Sequence, residues 1–102
     1  MAIKPIRTTH RIISPDSPTY VIAEIGSNFD GSLKKAYQMV DLAVDVGADC
    51  AKFQSFLPDK IISRKGFGGK SSSFQAKWKK SVYQVYSDAA LPREWHTKLK
   101  TY

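Results

Sequence analysis

One stretch constrains this chain more than any other. From Tyr20 to Gln54 it runs through an apolar segment, a polar turn, an amphipathic segment, a short turn and a second apolar segment. That order is strand, helix, strand: one βαβ unit. The first core strand is expected over Thr19 to Ile25, apolar almost throughout, as a parallel strand covered on both faces should be. Gly26-Ser27-Asn28-Phe29-Asp30-Gly31 has the composition of a turn. Leu33, Ala36, Tyr37, Val40, Ala43 and Val44 recur at helical spacing. Ser32 is a good N-cap, because its hydroxyl accepts from a free backbone amide. The helix should run to about Val46 and stop at Gly47, which takes a left-handed backbone without steric cost. Gly47-Ala48-Asp49 is a normal helix-to-strand loop, and Cys50-Ala51-Lys52-Phe53-Gln54 is the second strand.

The side-chain period of two places Tyr20, Ile22 and Glu24 on one face of the first strand, and Val21, Ala23 and Ile25 on the other. On the second strand Cys50, Lys52 and Gln54 share a face, opposite Ala51 and Phe53. Parallel neighbours then carry Glu24, Lys52 and Gln54 to the same, C-terminal end of the sheet. A carboxylate among apolar neighbours is costly without a partner; a strand-end Glu that reaches water is the other reading. An amine beside a carboxylate and an amide suits an anionic, hydroxylated ligand. Alternatively, Lys52 and Glu24 form an ion pair that fills a layer of the interior. In the first turn of the helix Lys34 and Lys35 oppose the helix dipole, unless they face something negative.

With 102 residues, 42% hydrophobic and 25% charged, the chain has room for one small globular domain. It contains no apolar run of about 18 residues, so no membrane span or membrane partner is expected. The N-terminus lacks the apolar core of a secretory signal. Cys50 is the single cysteine, which excludes an intrachain disulfide and a cysteine-based metal site. A cytoplasmic protein is the natural expectation. The net charge is +7. Between Lys60 and Lys80 lie Lys60, Arg64, Lys65, Lys70, Lys77, Lys79 and Lys80 and no acidic residue. Such a stretch is a solvated basic face, or it attracts nucleic acid, an acidic membrane surface or a phosphorylated ligand.

Around the central unit, Ile3, Ile6, Ile12 and Ile13 predict one or two short strands, an N-terminal hairpin followed by a Ser14-Pro15-Asp16-Ser17-Pro18 turn. Ser55 to Ser73 reads as a long connection with turn chemistry. Its glycines do not make a nucleotide P-loop: Lys70-Ser71 follows Gly69, but Arg64 stands where the partner glycine belongs. Phe74, Trp78, Val82, Val85 and Tyr86 predict one helix over about 73–87. Lysines beside that stripe allow stacking on single-stranded nucleic acid, though a core face beside a wet face explains it as well. Leu91-Pro92-Arg93-Glu94 opens a last helix, with Trp95, Leu99 and Tyr102 facing inward and His96 outward.

Ala23-Glu24-Ile25-Gly26-Ser27-Asn28, then Gly31-Ser32-Leu33, then Gly47-Ala48-Asp49-Cys50-Ala51-Lys52-Phe53-Gln54 resemble the N-terminal signature of the N-acetylneuraminate (sialic acid) synthase family. The likeness continues more loosely through Phe74 to Leu99, where Leu91-Pro92-x-Glu94-Trp95-His96 takes part. The resemblance implies an α/β fold, the N-terminal βα units of a (β/α)8 TIM-type barrel. Such a barrel takes roughly 250 residues. Residues 1–102 are therefore expected to be a single partial domain, about the first third of a family member and inactive alone. The implied chemistry condenses phosphoenolpyruvate with an N-acetylated amino sugar, N-acetylmannosamine or a relative, to a nonulosonic acid with release of phosphate.

By the same resemblance, Glu24 is the catalytic carboxylate at the sugar. Lys52 holds phosphoenolpyruvate, Gln54 contacts the sugar, and Asn28 lies in the turn near the site. A divalent metal, manganese or magnesium, is implied as cofactor, with ligands outside this chain. A homo-oligomer is implied for the full-length protein. One departure stands out. The family's turn reads Asn-His-x-Gly, whereas this chain has Asn28-Phe29-Asp30-Gly31. That bears on sugar specificity and activity, and fits a subfamily acting on a related precursor. The alternatives from other classes are a small basic nucleic-acid-binding module using residues 60–80, and a barrel relative without catalysis.

Overall fold

A computed structural model describes residues 2–67 and 79–102. The chain enters through β1 (Ile6–Arg7) and β2 (Ile12–Ile13), which pair antiparallel, Ile6 opposite Ile13 and Arg7 opposite Ile12. Thr8 closes the turn between them: its amide donates to the Arg11 carbonyl at 2.8 Å, and its hydroxyl accepts from the Arg11 amide at 2.9 Å. This is the short hairpin that the isoleucine spacing predicts.

The βαβ unit follows as β3 (Ile22–Gly26), α1 (Leu33–Asp45) and β4 (Cys50–Phe53). The two strands are parallel, with Ile22 opposite Cys50, Ala23 opposite Ala51 and Glu24 opposite Lys52. The register then shifts, and Gly26 faces Phe53, so Ile25 is an extra residue on β3. Such a bulge bends the strand and re-aims its end. Regular pairing starts at Ile22 and not at Thr19. The Val21 amide is taken instead by Asp49 Oδ2 at 2.8 Å, and the Val21 carbonyl accepts from the Asp49 amide at 2.9 Å. β4 ends at Phe53, one residue short of expectation, although the Gln54 amide still donates to the Gly26 carbonyl at 3.1 Å.

Both ends of α1 are made by the residues expected to make them. Ser32 Oγ accepts from the Lys35 amide at 3.2 Å. At the other end the Gly47 amide donates to Val44 and the Ala48 amide to Ala43, each at 2.9 Å, with Gly47 at φ +76°. This pair of bonds is the Schellman arrangement, which occupies carbonyls the helix end would leave free. Ala36 and Ala43 are buried, whereas Val44, expected in the buried stripe, is 68% exposed. Two strands cover only part of the stripe's width, and nothing among the described residues covers its flank.

The connection after β4 is more ordered than its turn chemistry suggests. It holds two single-turn helices, α2 (Pro58–Ile61) and α3 (Arg64–Phe67). Pro58 suits the first helical turn because its missing donor costs nothing there. Ser63 Oγ accepts from the Gly66 amide at 3.1 Å, which draws Gly66 into α3. Of the helix expected over 73–87, the described residues hold α4 (Val82–Ala89). Ser81 is extended, at φ −63° and ψ 155°, and its hydroxyl caps the Gln84 amide, so no helix runs through it. Phe74 and Trp78 lie outside the described residues. α5 (Trp95–Thr101) begins after a tight turn, with the Trp95 amide on the Pro92 carbonyl at 3.0 Å. Pro92 therefore precedes this helix and does not sit in its first turn.

The core is built on Phe29, which is 0% exposed, with Ala36 and Leu91 against it and Phe53, Trp95 and Leu99 around them. The Phe29 ring lies 6.3 Å from Phe53 and meets Trp95 edge-on at 5.7 Å. Trp95 and Leu99 thus face inward as expected. Tyr102 does not: it stacks on Tyr37 of α1 at 4.3 Å and donates to Asp41 at 2.7 Å. Replacing Phe29 with Ala should destabilise the fold by about 3–5 kcal/mol, the usual cost of emptying a buried aromatic site. Chemical denaturation measures it, and a loss under about 1 kcal/mol would mean Phe29 is not the core's centre.

Asp49 joins three elements. It pairs with Arg11 of the hairpin, holds the Val21 amide before β3, and precedes β4. Arg11 also donates to the Pro18 carbonyl at 3.1 Å. The Val21 amide, and then Arg11, hold the Asp49 carboxyl below its ordinary value of 3.8. A depressed carboxyl stabilises the fold above that ordinary value and stops doing so as pH falls through the lower one. Wild type should therefore melt above Asp49→Asn at neutral pH, and the two melting curves should converge below about pH 3.8. A gap that is the same at every pH would show that the carboxylate charge contributes nothing.

Candidate functional site

The site forms where β3 and β4 end. Glu24 and Lys52 are register partners, and Lys52 Nζ lies 2.8 Å from Glu24 Oε2. Their side chains are 56% and 61% exposed, so the pair reaches solvent and fills no interior layer of this chain. The Glu24 hydrogen bond, and secondarily its charge, raise the Lys52 pKa above the ordinary 10.5. Lys52 therefore presents a full positive charge at neutral pH. An exposed pair of this kind contributes little to stability.

The backbone at the end of β3 favours this arrangement. Gly26 sits at φ +59°, where an L side chain is strained. A β-carbon there would lie 3.8 Å from Glu24 Oε1, so the carboxylate leans along the strand towards its C-terminal end. Gln54 stands just past β4, exposed, with its amide bonded to Gly26. Glu24, Lys52 and Gln54 therefore share the strand ends, as the alternation predicts. Asn28 lies in the turn beside them. Its side-chain amide donates to the Ile25 carbonyl at 2.9 Å and its backbone amide to the same carbonyl at 3.2 Å, which closes the turn.

Phe29, standing where the resemblance expects a histidine, is part of the core cluster. The turn it belongs to also answers the question of the first-turn lysines: Lys35 Nζ meets Asp30 Oδ2 at 2.5 Å, and Asp30 itself is left-handed at φ +50°.

Residues that the sequence did not single out also gather here. Ser27 Oγ is buried and has no hydrogen-bond partner among the described residues. It opens on a cleft of about 610 Å³ that Asp30, Lys80 and Asp88 also line. Ser55 Oγ lies 2.7 Å from His96 Nε2. The two residues are 41 apart in the chain, so no local pattern hints at that contact.

The basic stretch is partly neutralised. Lys80 pairs with Asp88 at 2.6 Å. Arg64 donates to Tyr83 at 2.8 Å, lies over its ring at 4.8 Å from the centroid, and faces Asp59 at 3.4 Å. Tyr86 packs edge-on against Phe56 at 5.9 Å, and Val82 is buried, so these two residues of the stripe serve packing. Lys70 and Lys77 lie outside the described residues. Among the described residues no three His, Cys, Asp or Glu side chains gather to hold a metal, and no helix is long and apolar enough to cross a membrane.

The geometry agrees with comparisons to known proteins. The model of the NeuB family matches residues 39–102. The chain is 31% identical over 98 residues to the spore coat polysaccharide biosynthesis protein SpsE of Bacillus subtilis, covering 91% of this chain and 24% of that protein. It is 31% identical over 87 residues to pseudaminic acid synthase of Campylobacter jejuni, covering 82% of this chain and 24% of the relative. Over 55 residues it is 48% identical to human N-acetylneuraminate-9-phosphate synthase, covering 54% of this chain and 15% of the human protein. The chain thus spans about a quarter of the length of these bacterial relatives, less than the third the resemblance suggested. With more than half its residues in the family model and two relatives matched along most of its length, this mixed α/β chain belongs to the NeuB family.

Proposed function

We propose that the protein carrying this chain condenses phosphoenolpyruvate with an N-acetylated amino sugar to a nonulosonic acid, releasing phosphate. The observation that carries this reading is the Glu24–Lys52 pair, solvent-facing at the C-terminal ends of two parallel strands in a NeuB-family chain. Barrel enzymes build their chemistry at that end of their strands. On this reading β3, α1 and β4 are the first units of a (β/α)8 barrel. Val21 and Ile22, 50% and 53% exposed, mark surface that further strands and helices would cover.

Each group has a task. The Lys52 ammonium binds the phosphate or carboxylate of phosphoenolpyruvate as a point charge. Carbon 3 of phosphoenolpyruvate bonds to the aldehyde carbon of the open-chain sugar, and the aldehyde oxygen takes up a proton. Water adds at the cation left on carbon 2, and the carbon–oxygen bond to phosphate breaks. Glu24, beside Lys52, is placed to exchange protons with the sugar's oxygens or to fix a hydroxyl, and Gln54 to hold the sugar by hydrogen bonds. Asn28 supports the site by closing the turn behind it. Lewis-acid help at the aldehyde would have to come from a divalent metal held outside this chain. A cytoplasmic, homo-oligomeric enzyme fits the reading. The relatives' names span several nonulosonic acids, so the sugar is to be fixed by assay.

The test is phosphate release from phosphoenolpyruvate with manganese and a panel of N-acetylated amino sugars, starting with N-acetylmannosamine. It uses the longest natural form of the protein, this chain alone, and Lys52→Ala in each. The long form should turn over and this chain alone should not. Lys52→Ala should lose about 10²–10³-fold in kcat/KM, the range for removing one preorganised charge contact. In this chain alone its thermal midpoint should stay where it was, because the pair is more than half exposed there. Silence of the long form with every sugar would sink the synthase reading. An active Lys52→Ala would remove Lys52 from it.

A further inference from the structure

We infer that Ser55 and His96 are a positioning pair for Gln54, an inference that rests on the synthase reading above. His96 Nδ1 lies 2.8 Å from the Arg93 carbonyl, and Nε2 lies 2.7 Å from Ser55 Oγ. A carbonyl only accepts, so Nδ1 carries the hydrogen. In the neutral ring the other nitrogen is then an acceptor, and the Ser55 hydroxyl donates to Nε2. The Arg93 carbonyl thereby selects the tautomer that can hold Ser55.

The place of Ser55 gives this bond its consequence. Ala51 and Phe53 line one cleft with Leu91, His96 and Leu99, so these β4 residues face α5. Ser55 continues their alternation and is bonded to the same helix. Lys52 and Gln54 take the opposite side. Gln54 is the first residue past β4, where the ladder offers it only the bond to Gly26 at 3.1 Å. The Ser55–His96 bond fixes the chain one residue later. With both neighbours of Gln54 anchored, Phe53 in the core and Ser55 on α5, the direction of its side chain is set before any sugar arrives. Pre-set direction is what converts a nearby amide into a selective contact.

The variants separate the two ring nitrogens. In His96→Gln the side-chain amide reaches the Nε2 position; in His96→Asn it stays at the Nδ1 position and Ser55 loses its partner. In the longest natural form of the protein, His96→Asn and Ser55→Ala should each raise the amino-sugar KM about tenfold, below the cost of a full ångström of misplacement. The KM for phosphoenolpyruvate and kcat at saturation should stay within about twofold. His96→Gln and Ser55→Thr should restore the sugar KM. Long-range nitrogen–proton correlation spectra should show His96 protonated at Nδ1.

Unchanged sugar KM in all four variants, a joint fall of every parameter without rescue, or a ring protonated at Nε2 alone would overturn the pairing. If the wild-type protein turns over no amino sugar, the synthase reading fails by itself. The pair is then judged on hydrogen exchange of the Gln54 amide. Faster exchange in His96→Asn and Ser55→Ala, but not in His96→Gln and Ser55→Thr, keeps the positioning role; equal exchange in all removes it.

Discussion

The burial of Phe29 is the contact on which the rest of this structure depends. It comes from the turn between β3 and α1, yet it sits at the centre of the core, against Phe53 of β4 and Trp95 of α5. One side chain therefore ties the first strand, the second strand and the last helix together. It also fixes the turn. With Phe29 drawn inward, Asn28 closes onto the Ile25 carbonyl and Asp30 swings into the left-handed region, where it meets Lys35. The bulge before Gly26 lets this happen without breaking the ladder, because Ile25 absorbs the extra residue and is itself buried.

That packing leaves the charged pair free. Glu24 and Lys52 point away from the Phe29 cluster, more than half exposed, and salt bridges of that exposure add little to a fold. The stability of the chain rests on apolar contacts and on Asp49, which draws Arg11, Val21 and the start of β4 together at the other end of the strands. The two ends of the small sheet thus do different work. The Asp49 end holds the hairpin to the sheet. The Glu24 and Lys52 end carries a charged pair that takes no part in the Phe29 packing, which leaves its charge available to a ligand.

The βαβ unit was legible because several local rules agreed on it. Ser32 and Gly47 cap α1 as their chemistry requires, and alternation put Glu24 and Lys52 at the same level of adjacent strands. What was missed had mostly non-local causes. The burial of Phe29 was not legible, since nothing in its sequence neighbours shows that Trp95, far along the chain, closes over it. The anchoring role of the loop residue Asp49 was missed because its partners Arg11 and Val21 are remote in sequence. The break at Ser81 in the helix expected over 73–87 was missed because the apolar spacing was read without Ser81, whose hydroxyl competes for the backbone and starts α4. The connection past Pro58 was taken for loop because Gly66 was read as a breaker, where a Ser63 cap holds it in a helical turn.

The second strand shows how one segment serves both ends of this division. Ala51, Phe53 and Ser55 turn to the helical layer; Lys52 and Gln54 turn to the strand ends. A one-residue slip would exchange the two sets and bury a lysine under α5. The Phe29–Phe53 contact opposes that slip from inside the core, and the Ser55–His96 bond opposes it from the helix surface. Register, and with it the placement of the candidate site, is therefore held by residues that never face a ligand. Phe29 belongs to the same set: fully out of solvent, its ring packs on Phe53 and holds β4 in line.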